Sequence, residues 1–248
     1  MAETIHYDNG IYTGDVVEGK RHGHGIYRWA DNSSYEGDFV WGQRTGKGIF
    51  RWPDGSSYEG DFTEDKRTGR GIFRWANGNR YEGDFIEGKK TGNGVFFWAN
   101  GNRYDGEFVD GLRTGFGVFR WANGEINCGA FIRGKLEGVV TCLYADGSVF
   151  VGNYLHDKRN GNGILTHPDG QSENQLWEGG ELISSAPIVR RAKATEKAQP
   201  SGTENAGTKS RPGAPEDSGD ERGVNDTLDF STALKSLTAQ FRRPGKPE

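Results

Sequence analysis

The chain has two cysteines and one methionine among 248 residues, and its net charge is only −4. Cys128 and Cys142 are too few for the disulfide framework of a small secreted domain and too far apart for a zinc motif. The balanced charge lacks the basic excess of a nucleic-acid binder, so no nucleic-acid partner is expected. No apolar run approaches the length of a spanning helix, and Met1-Ala2-Glu3-Thr4-Ile5-His6 lacks the charged-then-apolar pattern of a secretory signal. These absences predict a soluble cytoplasmic protein.

Catalytic sets are missing as well. His22 and His24 flank Gly23, whereas His6, His156 and His167 are scattered, and no nucleophile, base and orienting acid recur together. The Gly-x-Gly pairs lead into no helix and do not read as phosphate loops. The expectation is a non-enzyme with no metal and no cofactor.

Glycine and aromatic residues are plentiful, and their order decides the architecture. The phrase Tyr-Glu-Gly-Asp-Phe at Tyr35 returns at Tyr58 and Tyr81, as part of a 23-residue unit whose copies begin at Tyr12, Tyr35, Tyr58, Tyr81, Tyr104, Asn127 and Phe150 without insertion. Such a period marks a repeat array. With Tyr at position one, Tyr, Gly and Phe at one, three and five alternate with acids, which is the period of a strand. Gly-Ile-Phe-Arg-Trp at fourteen to eighteen reads as a second strand, and Asn-Gly or Asp-Gly turns lead into the next unit. The fold class expected is all-β: an elongated single-layer antiparallel sheet of consecutive β-hairpins, with about fourteen strands at ~4.8 Å spacing.

Parity suggests a register in which position five faces fourteen, three faces sixteen and one faces eighteen. This gathers the rings on one face and sets Glu36 opposite Arg51, Glu59 opposite Arg74 and Asp105 opposite Arg120. Glycines such as Gly37 and Gly48 then leave room for rings to lie over the backbone. Cys128 and Cys142 fall on opposite faces, which argues against a disulfide.

The array is expected to span residues 5–182, with partial repeats at each end as caps. All seven Trp and all nine Tyr lie before Leu182, and six of the eight Pro lie after it. Residues 183–225 therefore read as a disordered linker. Within 226–243, Phe230, Leu234, Leu237 and Phe241 are spaced as an apolar helical stripe, a candidate docking helix followed by a tail at 244–248.

The Tyr-x-Gly-x-Phe opening, the later Gly-x-Gly and the aromatic close at this period resemble the MORN (membrane occupation and recognition nexus) repeat family. The resemblance covers about residues 7 to 180 and implies β-hairpin arrays used in protein assembly, in cytoskeletal and ciliary structures among others, with lipid binding by some members. The sixth unit departs from it: Asn127 and Cys128 replace Tyr-Glu, Ala130 replaces the acid, Leu136 the cation and Val140 the second glycine. In the seventh, His167 stands where Trp is usual.

Two features suit binding. Position ten is cationic in six units, as Arg21, Arg44, Arg67, Lys90, Arg113 and Arg159. Placed in the loops between strands, these would form a cationic edge for an anionic membrane or an acidic protein such as tubulin; the plainer account is loop cations satisfying local carbonyls. Trp29, Trp52, Trp75, Trp98 and Trp121 form a stripe that serves either as ring packing or as an aromatic groove. The expected function is a scaffold or adaptor for a cytoskeletal assembly, with a cilium or flagellum as one setting, binding protein partners and open to end-to-end homodimers. Its alternatives are a peripheral membrane or phosphoinositide-binding module and a targeting subunit of a separate enzyme.

Overall fold

The computed structural model describes residues 2–189. Among them every regular element is a strand: β1 (Glu3–Tyr7), β2 (Gly10–Val17), β3 (Lys20–Trp29), β4 (Ser34–Val40), β5 (Gln43–Arg51), β6 (Ser57–Thr63), β7 (Lys66–Arg74), β8 (Arg80–Ile86) and β9 (Lys89–Phe97), then β10 (Arg103–Val109), β11 (Leu112–Arg120), β12 (Ile126–Ile132), β13 (Lys135–Leu143), β14 (Val149–Leu155), β15 (Lys158–Thr166), β16 (Ser172–Glu178) and β17 (Glu181–Pro187). Each pairs antiparallel with the next, giving one open meander. The sheet has seventeen strands, more than the expected fourteen, because the capping fragments also form strands. Strand β17 runs past the expected limit at 182, so residues 183–187 are sheet and not linker. The linker from 190 onward and Phe230, Leu234, Leu237 and Phe241 lie outside the described residues.

Both turn types follow from local chemistry. Within a hairpin, Val40 faces Gln43 across Trp41 (φ 50°) and Gly42 (φ 90°), a two-residue turn whose twist suits paired strands. Between hairpins, the Trp52 amide donates to the Ser56 carbonyl at 3.0 Å, and the Asp54 carboxylate accepts from the Ser56 amide at 2.8 Å.

The observed register corrects the one expected from parity. In β4–β5 Tyr35 faces Phe50, Gly37 faces Gly48, and Phe39 faces Arg44. Pairing shifts by two residues at the open end of the hairpin, and further towards its tip. The further shift towards the tip is a bulge: Gly46 and Lys47 have no partner on β4 and pair only with Phe62 and Asp61 of β6. Gly46 sits at φ 55°, which suits glycine, and equivalent glycines repeat this in the other hairpins. An even shift preserves the faces, so the rings still gather on one side. Glu36 faces Ile49, and its contact with Arg51 becomes a diagonal one at 4.0 Å, as for Glu59–Arg74 at 3.6 Å and Asp105–Arg120 at 3.3 Å.

A row of facing glycines crosses the sheet from Gly14 to Gly129, and the position-one tyrosines lie over it. A Cβ on Gly71 would stand 2.4 Å from the Tyr58 hydroxyl. That hydroxyl reaches the carbonyls of Asp61 (3.1 Å) and Thr68 (3.4 Å) beside the bulge, a reason for Tyr instead of Phe at position one.

Candidate functional site

On the ring face two ladders run across the strands. One alternates position-one Tyr with position-five Phe, edge to face, with centroids 5.1–5.2 Å apart along Tyr35–Phe62–Tyr58–Phe85–Tyr81. The other alternates position-sixteen and position-eighteen rings from Tyr27 through Trp29, Phe50, Trp52, Phe73, Trp75, Phe96, Trp98 and Phe119 to Trp121, 4.4–5.3 Å apart. The first ladder is fully buried, whereas the tryptophans keep part of their surface in solvent.

Position ten lies between the ladders. The bulge moves it from the expected loop onto the second strand of each hairpin, where it faces position five on the ring side, as Arg44 faces Phe39. Arg67 Cζ is 5.1 Å from the Phe73 centroid, 5.6 Å from Tyr58, 5.7 Å from Phe85 and 5.8 Å from Trp52. Its Nη2 donates to the Gly88 carbonyl at 3.0 Å. Arg21 and Arg113 donate to Gly42 and Gly134, each at 2.6 Å, and Arg44 bonds Asp65. Lys90 lies 4.8 Å from the Phe96 centroid, and Arg159 lies 4.2 Å from Phe150 and 4.4 Å from Trp177. All six cations are half-buried, and burial lowers the pKa of Arg67, Lys90, Arg113 and Arg159. Ring faces compensate that desolvation, helped by the Gly88 and Gly134 carbonyls at Arg67 and Arg113 and by the Tyr154 hydroxyl at Arg159.

These contacts make the cations structural. Arg67→Gln is expected to lower stability by about 2 kcal/mol, through loss of a partly desolvated cation among four rings and a charged hydrogen bond. Urea unfolding checks this; an unchanged midpoint would show a solvated side chain.

The sixth unit shows the same design with volumes exchanged. Asn127 removes the ring over the glycines, and Val140, 0% exposed, fills the space; Leu136 is buried where the cation would be. The position-sixteen ring is replaced by Cys142, so a cation there would have fewer faces to meet. Cys128 and Cys142 lie on opposite faces, pairing with Thr141 and Asn127. Burial pushes the Cys128 thiol up to about 11 and raises Cys142 as well, leaving neither a ready nucleophile.

The outer face carries ordered charge. Position thirteen bridges to position four of the next unit: His24–Asp38 at 3.2 Å, Lys47–Asp61 at 2.8 Å and Arg70–Asp84 at 3.8 Å. Between these pairs an open groove of about 580 Å³ has Ile49, Ile72 and the glycine row for its floor, with Glu36, Glu59 and Glu82 along it. Towards the C-terminal end Val139 and Val151 replace the charged residues at positions thirteen and two, and with Ile164, Leu176, Asn162 and Asn174 they line a second groove of about 690 Å³. Neither groove stands out in the sequence, although the recurrence of Lys47 and Arg70 at position thirteen is a readable signal.

Fold and site together define a β-hairpin repeat protein. The MORN repeat pattern matches residues 12–34, 35–57, 58–80, 81–103, 104–126, 128–149 and 150–172. The chain belongs to the MORN repeat family. No curated protein matches it in sequence. Among solved structures it is similar to the SAS-4 (dCPAP) TCP domain of Drosophila melanogaster in complex with a proline-rich motif of Ana2, at 16% identity over 70% of this chain and 88% of that one, with a TM-score of 0.41. It is also similar to the TCP10 domain of Danio rerio CPAP, at 11% identity over 75% and 95% of the two chains, with a TM-score of 0.33. At these scores the likeness does not bear on what the chain binds.

Proposed function

We propose that the chain is a non-enzymatic scaffold that joins or spaces protein components of a cytoskeletal assembly, with a cilium or flagellum as its narrower setting. The observation that carries this reading is the division of labour between the two faces. The ring face is largely taken up by its own ladders and by the cations set between them. The outer face carries three charged pairs spaced by 23 residues, His24–Asp38, Lys47–Asp61 and Arg70–Asp84, and two open grooves, a surface suited to extended protein partners.

Proximity labelling with the full-length chain in cells, followed by microscopy, tests it. The expected result is enrichment of microtubule or axonemal proteins, at least several-fold reduced by Glu59→Lys with Arg70→Glu. These exposed outer-face changes leave the ring ladders intact and are expected to shift stability by only about 0.5 kcal/mol. Enrichment of membrane proteins and lipid kinases, or a diffuse signal with no enrichment, would reject the proposal.

A further inference from the structure

The outer margin at the hairpin tips has a period of its own. Position six, the last residue of each first strand, is aliphatic in six units: Val17, Val40, Ile86, Val109, Ile132 and Leu155. Only Thr63 interrupts the row, so β8 to β15 hold an unbroken run of four. In that run Ile86 is 62%, Val109 56%, Ile132 59% and Leu155 49% exposed. Each faces position nine across the hairpin: Ile86 opposite Lys89, Val109 opposite Leu112, Ile132 opposite Lys135, and Leu155 opposite Lys158. Directly opposed residues share a face, so aliphatic side chains alternate with lysines along this margin, Leu112 excepted. Lys89 pairs with Asp110 at 3.0 Å, but both are well exposed and such a pair exchanges readily.

The spacing selects a partner. Two strand widths are about 9.6 Å, and seven residues of α-helix rise about 10.5 Å. A helix laid across the strands with one apolar side chain every seven residues therefore meets one tip per repeat. The mismatch of about 1 Å per repeat stays within side-chain reach over four tips. Acidic residues flanking the apolar stripe would face Lys89, Lys135 and Lys158. We propose that the outer margin from β8 to β15 docks an acidic α-helix of seven-residue apolar periodicity, one heptad per hairpin. This deepens the scaffold reading and rests on it.

The test uses the full chain and a synthetic acidic peptide of about four heptads, built from Ala and Glu with one Leu per heptad. A permuted peptide of equal composition and helicity, its leucines spread around the helix, is the control. By fluorescence anisotropy the heptad peptide is expected to bind at least about ten-fold tighter than the control, through burial of one aligned apolar stripe. Ile86→Ser with Val109→Ser and Ile132→Ser should remove that advantage, as should Lys89→Glu with Lys135→Glu and Lys158→Glu, while Val17→Ser should not. Equal affinity for both peptides, or no binding, would overturn the proposal. So would a result in which neither peptide binds but the same variants abolish sedimentation with phosphatidylserine vesicles, since the margin would then be a lipid surface. Loss of a self-associated state in the serine variants, with no peptide binding, would assign it to a second copy of the chain and equally overturn it. Peptide failure with cytoskeletal enrichment intact would remove this proposal alone and leave the scaffold standing.

Discussion

Gly71→Val is expected to lower the stability of the array by about 3 kcal/mol, and adding Tyr58→Asn is expected to recover a large part of that loss. A Cβ at Gly71 would stand 2.4 Å from the Tyr58 hydroxyl and 2.5 Å from the ring carbon Cε2. The ring has no room to retreat: Tyr58 is 0% exposed and is wedged edge to face between Phe62 and Phe85, with centroids at 5.2 and 5.1 Å. Valine forces either that ring or the backbone of β7 to move. The sixth unit already contains the compensated arrangement, with Asn127 at position one and Val140 at position fourteen. A double-mutant cycle read by urea unfolding should therefore show favourable coupling of about 2 kcal/mol. Additive losses would mean that the two positions do not share one volume.

A steep loss of stability above pH 10 is the second large effect. Tyr35, Tyr58, Tyr81 and Tyr104 have pKa values raised well above the ordinary phenol value, first by burial, and in the first three next by the neighbouring Asp38, Asp61 and Asp84. In the unfolded chain these phenols ionise near pH 10, while the folded chain keeps them protonated. The folded state then binds more protons, so the stability they contribute is whole below pH 10 and falls as pH rises towards the folded values. Each such tyrosine costs about 1.4 kcal/mol per pH unit in that window. Lys90 works weakly the other way, because burial lowers its pKa and removes a proton from the folded state first. Denaturation midpoints between pH 9 and about 12 should fall steeply, and Tyr81→Phe should flatten the slope by about one proton. A flat profile would show the phenols open to solvent.

The repeat length, the two strands per unit and the sharing of a face by Tyr, Gly, Phe and the position-sixteen ring were all legible, because alternation at period two survives any even shift of register. The extra offset towards the tip was hidden by Gly46, whose positive φ accommodates two unpaired residues that a count across the hairpin cannot see. The same bulge hid the orientation of Arg44 and its equivalents: an unbulged hairpin puts position ten in a loop, and the bulged one puts it between two ring ladders. Trp52 was expected opposite Tyr35 but lies beyond the end of β5, opening the turn to the next hairpin. The aliphatic row at position six was readable at the 23-residue period, yet alone it resembles ordinary scattered surface hydrophobics; only the pairing of Ile132 with Lys135 shows it as part of one margin.

In the proposed division of labour the ring face holds the sheet together and partners bind the outer face. Site-specific photo-crosslinking in cells tests it most directly, with the reactive group placed at Glu59 or Ile132 on the outer face and, separately, at Trp121, the most open ring of the ladder at 42% exposed. Protein adducts are expected from Glu59 or Ile132 and none from Trp121. Adducts from Trp121 with none from the two outer positions would contradict that division.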